Sequence, residues 1–204
     1  MVQSKVGLSR LGREQVYRYR TASGSDRPSD QHIPIISGEW GFSSAWRRMD
    51  EAKQGALLAR ELLTNIANGI PISIWYDWRD DGFDPNEAEH HFGLVRKAYQ
   101  NVTVQPYAPK PAYLAARTLL ALFDGYTFEK RLNVGNDADY ILAFRKGDSL
   151  YYAAWTASTP HKIFLPVNGN SIHFTTHLGE ERVLTPMDQR LRVNLSSAPI
   201  YVGP

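Results

Sequence analysis

The residues with the most chemical promise lie in Ser37-Gly38-Glu39-Trp40-Gly41, which follows the apolar run Pro34-Ile35-Ile36. A carboxylate flanked by glycine and an aromatic at the end of a β-branched run is suited to carbohydrate chemistry. The strand brings one acid to the floor of a sugar-sized pocket. A second apolar run, Pro71-Ile72-Ser73-Ile74, leads into Trp75-Tyr76-Asp77-Trp78. Trp75 can stack on the apolar C–H face of a pyranose or pack in a core. Trp40 and Trp78 divide between cleft wall and ordinary packing. Tyr76 and Asp77 can hydrogen-bond sugar hydroxyls, though alternation lets only some of residues 75–78 face one pocket. Eleven Tyr, eight Phe and five Trp enrich the chain in aromatics, and four of the Trp fall between residues 40 and 78. That concentration points to a ligand-stacking surface.

These side chains need a scaffold. Asp50 can cap a helix running to about Asn68, with Leu58, Leu62 and Ile66 every four residues and Gly69 as the stop. Strands are expected at Pro34–Ser37 and Ile70–Tyr76. The continuous apolar character of the first suggests a parallel strand covered on both faces. The segment between them has the length a βαβ crossover needs. A further helix is expected over Gly7–Thr21, a polar loop over Ala22–Gln31, and an amphipathic helix over Lys110–Phe123, started by Pro111 and stopped by Gly125. Beyond Asp124 the texture becomes short alternating segments, at Tyr126–Leu132, Tyr140–Arg145, Ser149–Thr156, Lys162–Leu165, Ser171–Thr176, Arg182–Leu184, Arg190–Leu195 and Pro199–Val202. Gly-containing turns separate many of them, the pattern of an antiparallel sandwich. The expected fold class is therefore α/β plus all-β, with a boundary that divides residues 1–124 from 125–204.

The other polar clusters read as ordinary. Asp80, Asp81 and Asp84 lack the spacing of a calcium loop and read as a solvated loop. His90 and His91 are adjacent, cannot easily share one metal, and read as loop packing; no metal or organic cofactor is expected. Arg47 and Arg48 read as solvated, with one able to line a cleft. The Asn101 and Asn194 sequons read as chance matches. A formal net charge of +2 gives no argument for nucleic acid or membrane, and no apolar run approaches a membrane span. Cysteine is absent, which excludes disulfides and thiolate chemistry. The first thirty residues show no apolar leader segment, and localisation stays open.

Ile33 to Gly41 resembles the seventh strand of the large glycoside hydrolase clan built on (β/α)8 barrels, closest to the cellulase-like family 5 and the xylosidase-like family 39. By that resemblance Glu39 is the nucleophile of a retaining enzyme. Ile74-Trp75-Tyr76-Asp77-Trp78 resembles the eighth strand, whose tryptophan forms the platform under the reacting sugar. Lys110–Ala116 looks like the start of the last barrel helix, and the β-rich tail resembles the small sandwich beside such barrels. The resemblance implies an oligosaccharide or polysaccharide substrate with β-linkages. The clan's acid/base glutamate follows an asparagine on strand four, which would lie upstream of Met1; Asn86-Glu87 reads as a coincidence. A complete barrel needs eight strands and about 250 residues, so the chain is expected to be the C-terminal portion of such an enzyme. Two other readings stay open. One is a non-catalytic carbohydrate-binding module. The other is a fragment inactive alone, with an exposed barrel edge that associates with the missing barrel segment or with itself.

Overall fold

A computed structural model describes residues 34–97 and 105–204. The helix expected at Gly7–Thr21 and the loop at Ala22–Gln31 lie outside the described residues. The first described elements are strand β1 (Ser37–Trp40), helix α1 (Glu51–Ala67) and strand β2 (Ser73–Trp75), and β1 pairs with β2 in parallel. Both strands begin later than the apolar runs suggest. Pairing, not hydrophobicity, sets their limits: the backbone ladder joins only Ser37–Trp40 to Ser73–Trp75. The expected burial of β1 on both faces is also corrected, because Ile36, Ile72 and Ile74 are each about half exposed, at 50%, 51% and 51%.

Helix α1 forms where its signals place it. The Asp50 carboxylate accepts the Lys53 N–H at 2.7 Å, and Glu51 sits favourably at the positive end of the helix dipole. The helix ends at Asn68, followed by Gly69 in the left-handed region. Its buried stripe runs through Gln54, Gly55, Leu58, Ala59 and Leu63, while Ile66 is exposed. Helix α2 (Pro111–Leu122) has Pro111 in its first turn, where the missing N–H costs no helical bond. The two helices meet at Gly55. A Cβ there would lie 2.9 Å from the Pro111 carbonyl carbon, so glycine permits the close crossing.

All eight expected C-terminal strands form: β3 (Thr127–Leu132), β4 (Asp139–Lys146), β5 (Ser149–Thr156), β6 (His161–Pro166), β7 (Ile172–Thr176), β8 (Glu181–Leu184), β9 (Arg190–Leu195) and β10 (Ile200–Gly203). They divide into an antiparallel six-stranded sheet, ordered β3-β4-β5-β10-β7-β8, and a β6-β9 ribbon. Strand alternation then sorts the central sheet into two faces. Ile141, Ala143, Tyr152, Ala154, Ile200 and Val202 pack with Ile163, Leu165, Leu191, Val193 and Leu195 of the ribbon. Leu142, Phe144, Ala153, Trp155 and Tyr201 pack with Leu58, Leu63, Leu119 and Phe123 of the helical layer. Phe123 meets Phe144 and Tyr201 edge-on, with ring centroids 4.7 and 5.3 Å apart. Each buried Leu, Ile, Val or Phe side chain among these is worth ~1.5–3 kcal/mol of transfer free energy. The sheet thus fixes α1 and α2, and these helices carry β1 and β2.

Two polar ties reinforce this core. His161 Nε2 donates to the buried Asp139 carboxylate at 2.8 Å, which joins the ribbon to the large sheet. Its Nδ1 donates to the Thr159 carbonyl at 2.9 Å. The Arg131 guanidinium lies 4.0 Å from the Tyr140 ring centroid, and Tyr140 stacks on Trp155 at 4.9 Å.

Candidate active site

Glu39 stands on an irregularity. The β1–β2 register shifts between Ser37 and Glu39, so that Ser37 pairs with Ser73, Glu39 with Ile74 and Trp40 with Trp75. A bulge of this kind re-aims a side chain. Ser73 and Trp75 face α1 and α2: Asn65 Nδ2 donates to Ser73 Oγ at 2.9 Å, and Trp75 packs against the helical core. Ile72 and Ile74 therefore face the other way. Glu39, in register with Ile74, shares that open face and is exposed. Among the described residues Glu39 makes no hydrogen bond or ion pair, so none holds it as a structural salt bridge.

At the strand ends the Tyr76 N–H donates to the Trp40 carbonyl at 2.7 Å. Gly41 follows directly. A Cβ on Gly41 would sit 2.0 Å from the Tyr76 carbonyl oxygen, so only glycine lets the two chains converge here. The Tyr76–Asp77 peptide is cis.

The aromatic residues named from sequence separate into two groups. Trp40 and Trp75 meet edge-on with centroids 4.9 Å apart. They join a cluster with Phe42, Trp46, Tyr76 and Phe92, in which Trp46 and Tyr76 lie 5.5 and 5.3 Å from Phe92. Trp75 is half-buried, and its indole N–H donates to the Phe92 carbonyl at 3.1 Å. The Trp40 indole nitrogen is buried without a partner among the described residues. Trp78 stands apart, 57% exposed, with its ring edge-on to Tyr113 at 6.4 Å. Asp77 accepts the Trp78 N–H. The Tyr76 hydroxyl donates to Glu89 at 3.4 Å. Partial desolvation, and then the negative charges of Glu89, Asp81 and Asp77, raise its pKa above the ordinary phenol value.

The loop after β2 is built from polar contacts that the sequence hides. Asp80 is buried rather than solvated. Its Oδ1 accepts Lys110 Nζ at 2.8 Å and the Gly93 N–H at 2.9 Å. Lys110, just before α2, is itself fully buried. The two histidines pin the same loop: His91 Nε2 donates to the Asp84 carbonyl at 2.7 Å, and His90 Nδ1 accepts the Asp84 N–H at 3.2 Å. Among the described residues no group of three or more His, Cys, Asp or Glu could hold a metal ion. Sequence reasoning missed Phe42, Phe92, Gln54 and the Asp80–Lys110 pair. Only the last left a trace, a lysine immediately before the proline that starts a helix.

No protein family model matches the chain, and no curated protein matches it. Solved structures do. The chain is similar to a family 39 glycoside hydrolase from the gut symbiont Bacteroides cellulosilyticus, with a TM-score of 0.71 and 30% identity over 83% of this chain and 33% of that one. The fold is glycoside hydrolase-like. It is also similar to a family 86 β-porphyranase from Bacteroides plebeius, at TM-score 0.53 and 14% identity, covering 83% of this chain and 34% of that one. A family 30 endoxylanase from Clostridium papyrosolvens gives TM-score 0.52 and 11% identity, covering 83% and 41%. The chain thus spans between 33% and 41% of the length of these structures.

Proposed function

We propose that this chain carries the nucleophile side of a retaining glycoside hydrolase that cleaves β-linked saccharides. In this reading β1 and β2 are the last two strands of a (β/α)8 barrel, residues 1–124 are the C-terminal part of that barrel, and residues 125–204 form the accompanying β-sandwich domain. Glu39 attacks the anomeric carbon, the glycosidic oxygen leaves, and a covalent glycosyl-enzyme forms. Water then attacks that carbon and releases the sugar with retained configuration. The acid that protonates the leaving oxygen, and later serves as base for the water, comes from a segment outside the described residues. It must stand ~5–5.5 Å from Glu39. Tyr76 and Asp77 hydrogen-bond sugar hydroxyls, Trp78 forms an outer stacking surface, and Trp75 and Trp40, on the helix-facing side of the strands, brace these strand ends through the aromatic cluster.

One observation carries the reading. Glu39, without a hydrogen bond or ion pair among the described residues, stands on a bulged strand end facing away from the helices, in a chain 30% identical to a family 39 glycoside hydrolase. Catalytic residues of (β/α)8 enzymes come from strand ends in the same way. The bare Ile36, Ile72 and Ile74 face adds support, because parallel sheets are ordinarily covered on both sides. The test is Glu39→Ala in the full natural protein. Turnover of an aryl β-glycoside is lost, and azide restores part of it by attacking in place of the carboxylate. Near-normal activity without azide overturns the assignment.

Glycan binding without cleavage is favoured by the exposure of Trp78. It requires oligosaccharide affinity that falls in Trp75→Ala or Trp78→Ala and is unaffected by Glu39→Gln.

A further inference from the structure

Gln54 is a buried polar side chain in the helix that follows the Glu39 strand, and its contacts are unusual for that place. It is fully buried in the first turns of α1. Its amide nitrogen donates to the Phe42 carbonyl at 2.7 Å and to the His91 carbonyl at 3.1 Å. Phe42 lies three residues after Glu39. His91 precedes Phe92, whose carbonyl holds the Trp75 indole N–H at 3.1 Å and the Asp77 N–H at 3.4 Å. One NH2 group therefore fastens the loop leaving β1 to the loop leaving β2, and fixes both to α1.

We propose that Gln54 is a positioning residue, which sets the spacing between Glu39 and the Tyr76–Trp78 strand end by clamping these two loops. The inference rests on the proposed hydrolase site.

The chemistry of the amide explains the residue type. Two carbonyl oxygens face the position, so it calls for two donors and no acceptor. An amide nitrogen supplies both donors from one atom without charge. Turning the amide over would set its oxygen against two carbonyl oxygens. The Gln54 oxygen is instead left buried without a partner, a cost accepted nowhere else on α1 among the described residues. The clamp has reinforcements but no substitute. The Ser44 N–H and Lys110 Nζ also donate to the His91 carbonyl, at 3.1 and 3.3 Å, and Ser43 Oγ donates to the Ala88 carbonyl at 2.7 Å. Ser43 and Ser44 belong to the first loop itself, and Lys110 reaches only the second. Among the described residues Gln54 alone joins both loops to a third, rigid element. A shift of about 1 Å in such a site can cost 100-fold in rate.

The test uses Gln54→Met, which keeps the length and helix preference but donates nothing. The control is Leu165→Ala, which empties a buried position in the cluster on the opposite face of the large sheet, a cluster that includes neither loop nor Trp75. The full natural protein is labelled with 5-fluorotryptophan, and Trp40 and Trp75 are assigned by Trp→Phe variants. Its kcat and KM are read with 4-nitrophenyl β-glycosides. Gln54→Met is expected to shift or broaden the Trp75 fluorine resonance and lower kcat at least tenfold, with KM changed less than threefold. Leu165→Ala lowers the melting temperature but leaves resonance and kcat in place well below it. If Gln54→Met does not fold, Gln54→Asn replaces it, because the shorter side chain reaches at most one carbonyl. An unmoved Trp75 resonance overturns the clamp, and a moved resonance with unchanged kcat overturns its positioning role. A separate Glu39→Ala measurement in the same assay shows whether the hydrolase reading itself has failed.

Discussion

Lys110→Met removes one member of a buried ion pair and leaves the other stranded. Lys110 Nζ lies 2.8 Å from Asp80 Oδ1, with side-chain exposures of 0% and 7%. After the substitution Asp80 retains only the Gly93 N–H on that oxygen, at 2.9 Å. Breaking a buried pair from one side costs about 3–5 kcal/mol, most of it the penalty of an uncompensated charge. At about 2–4 °C per kcal/mol for a chain of this size, the melting temperature falls by roughly 6–20 °C. Thermal unfolding followed by circular dichroism at pH 7 reads this directly. Two signatures separate a buried pair from lost packing. The double variant Lys110→Met/Asp80→Asn is more stable than Lys110→Met, because no bare charge remains. Added salt leaves the wild-type-to-variant gap nearly unchanged, since buried pairs are weakly screened. A loss of less than about 1 kcal/mol, or a gap that closes in salt, would instead place the ammonium in water.

Two further outcomes concern the β-rich layer. Tyr201 is fully buried, its hydroxyl has no partner among the described residues, and burial pushes the phenol pKa up. Tyr201→Phe removes that polar group while preserving the ring contacts, so it is neutral or stabilising by up to ~1 kcal/mol; a clear loss in denaturant titration would reveal a hydrogen bond at that hydroxyl. At His161 both ring nitrogens face acceptors, first the Thr159 carbonyl and then the Asp139 carboxylate, which raises the imidazole pKa above 6.5. The folded state therefore holds the proton more tightly than the unfolded one. Stabilisation is complete below about pH 6.5 and is lost as pH rises through the folded value. The melting-temperature gap between wild type and His161→Gln is accordingly larger at pH 5.5 than at pH 8.5, and a gap that widens with pH would contradict the geometry.

Much of the fold is written in local sequence. Asp50 and Gly69 bracket α1, Pro111 starts α2, and alternation with turn residues marks all eight C-terminal strands. What local pattern does not carry is pairing. Nothing near Ile200 says that β10 inserts between β5 and β7, and nothing near Ile36 says that pairing begins only at Ser37. The same division holds at the site. Glu39 and the tryptophans are visible because residue type and neighbours suggest a role. Asp80 resembles a solvated loop acid until the fold brings Lys110, thirty residues away, against it. Gln54 resembles a surface helix residue until two loop carbonyls close on it. Buried polar networks owe their meaning to tertiary partners, and helical or strand periodicity holds no record of those.

The most direct measurement is to trap the covalent intermediate. Incubating the full natural protein with activated 2-deoxy-2-fluoro β-glycosides slows release of the glycosyl-enzyme, and mass spectrometry of the digest locates the adduct. One added sugar is expected, on the peptide that contains Glu39, and the adduct is lost in Glu39→Gln. An active enzyme labelled on another carboxylate, or one that releases sugar of inverted configuration, would contradict that expectation.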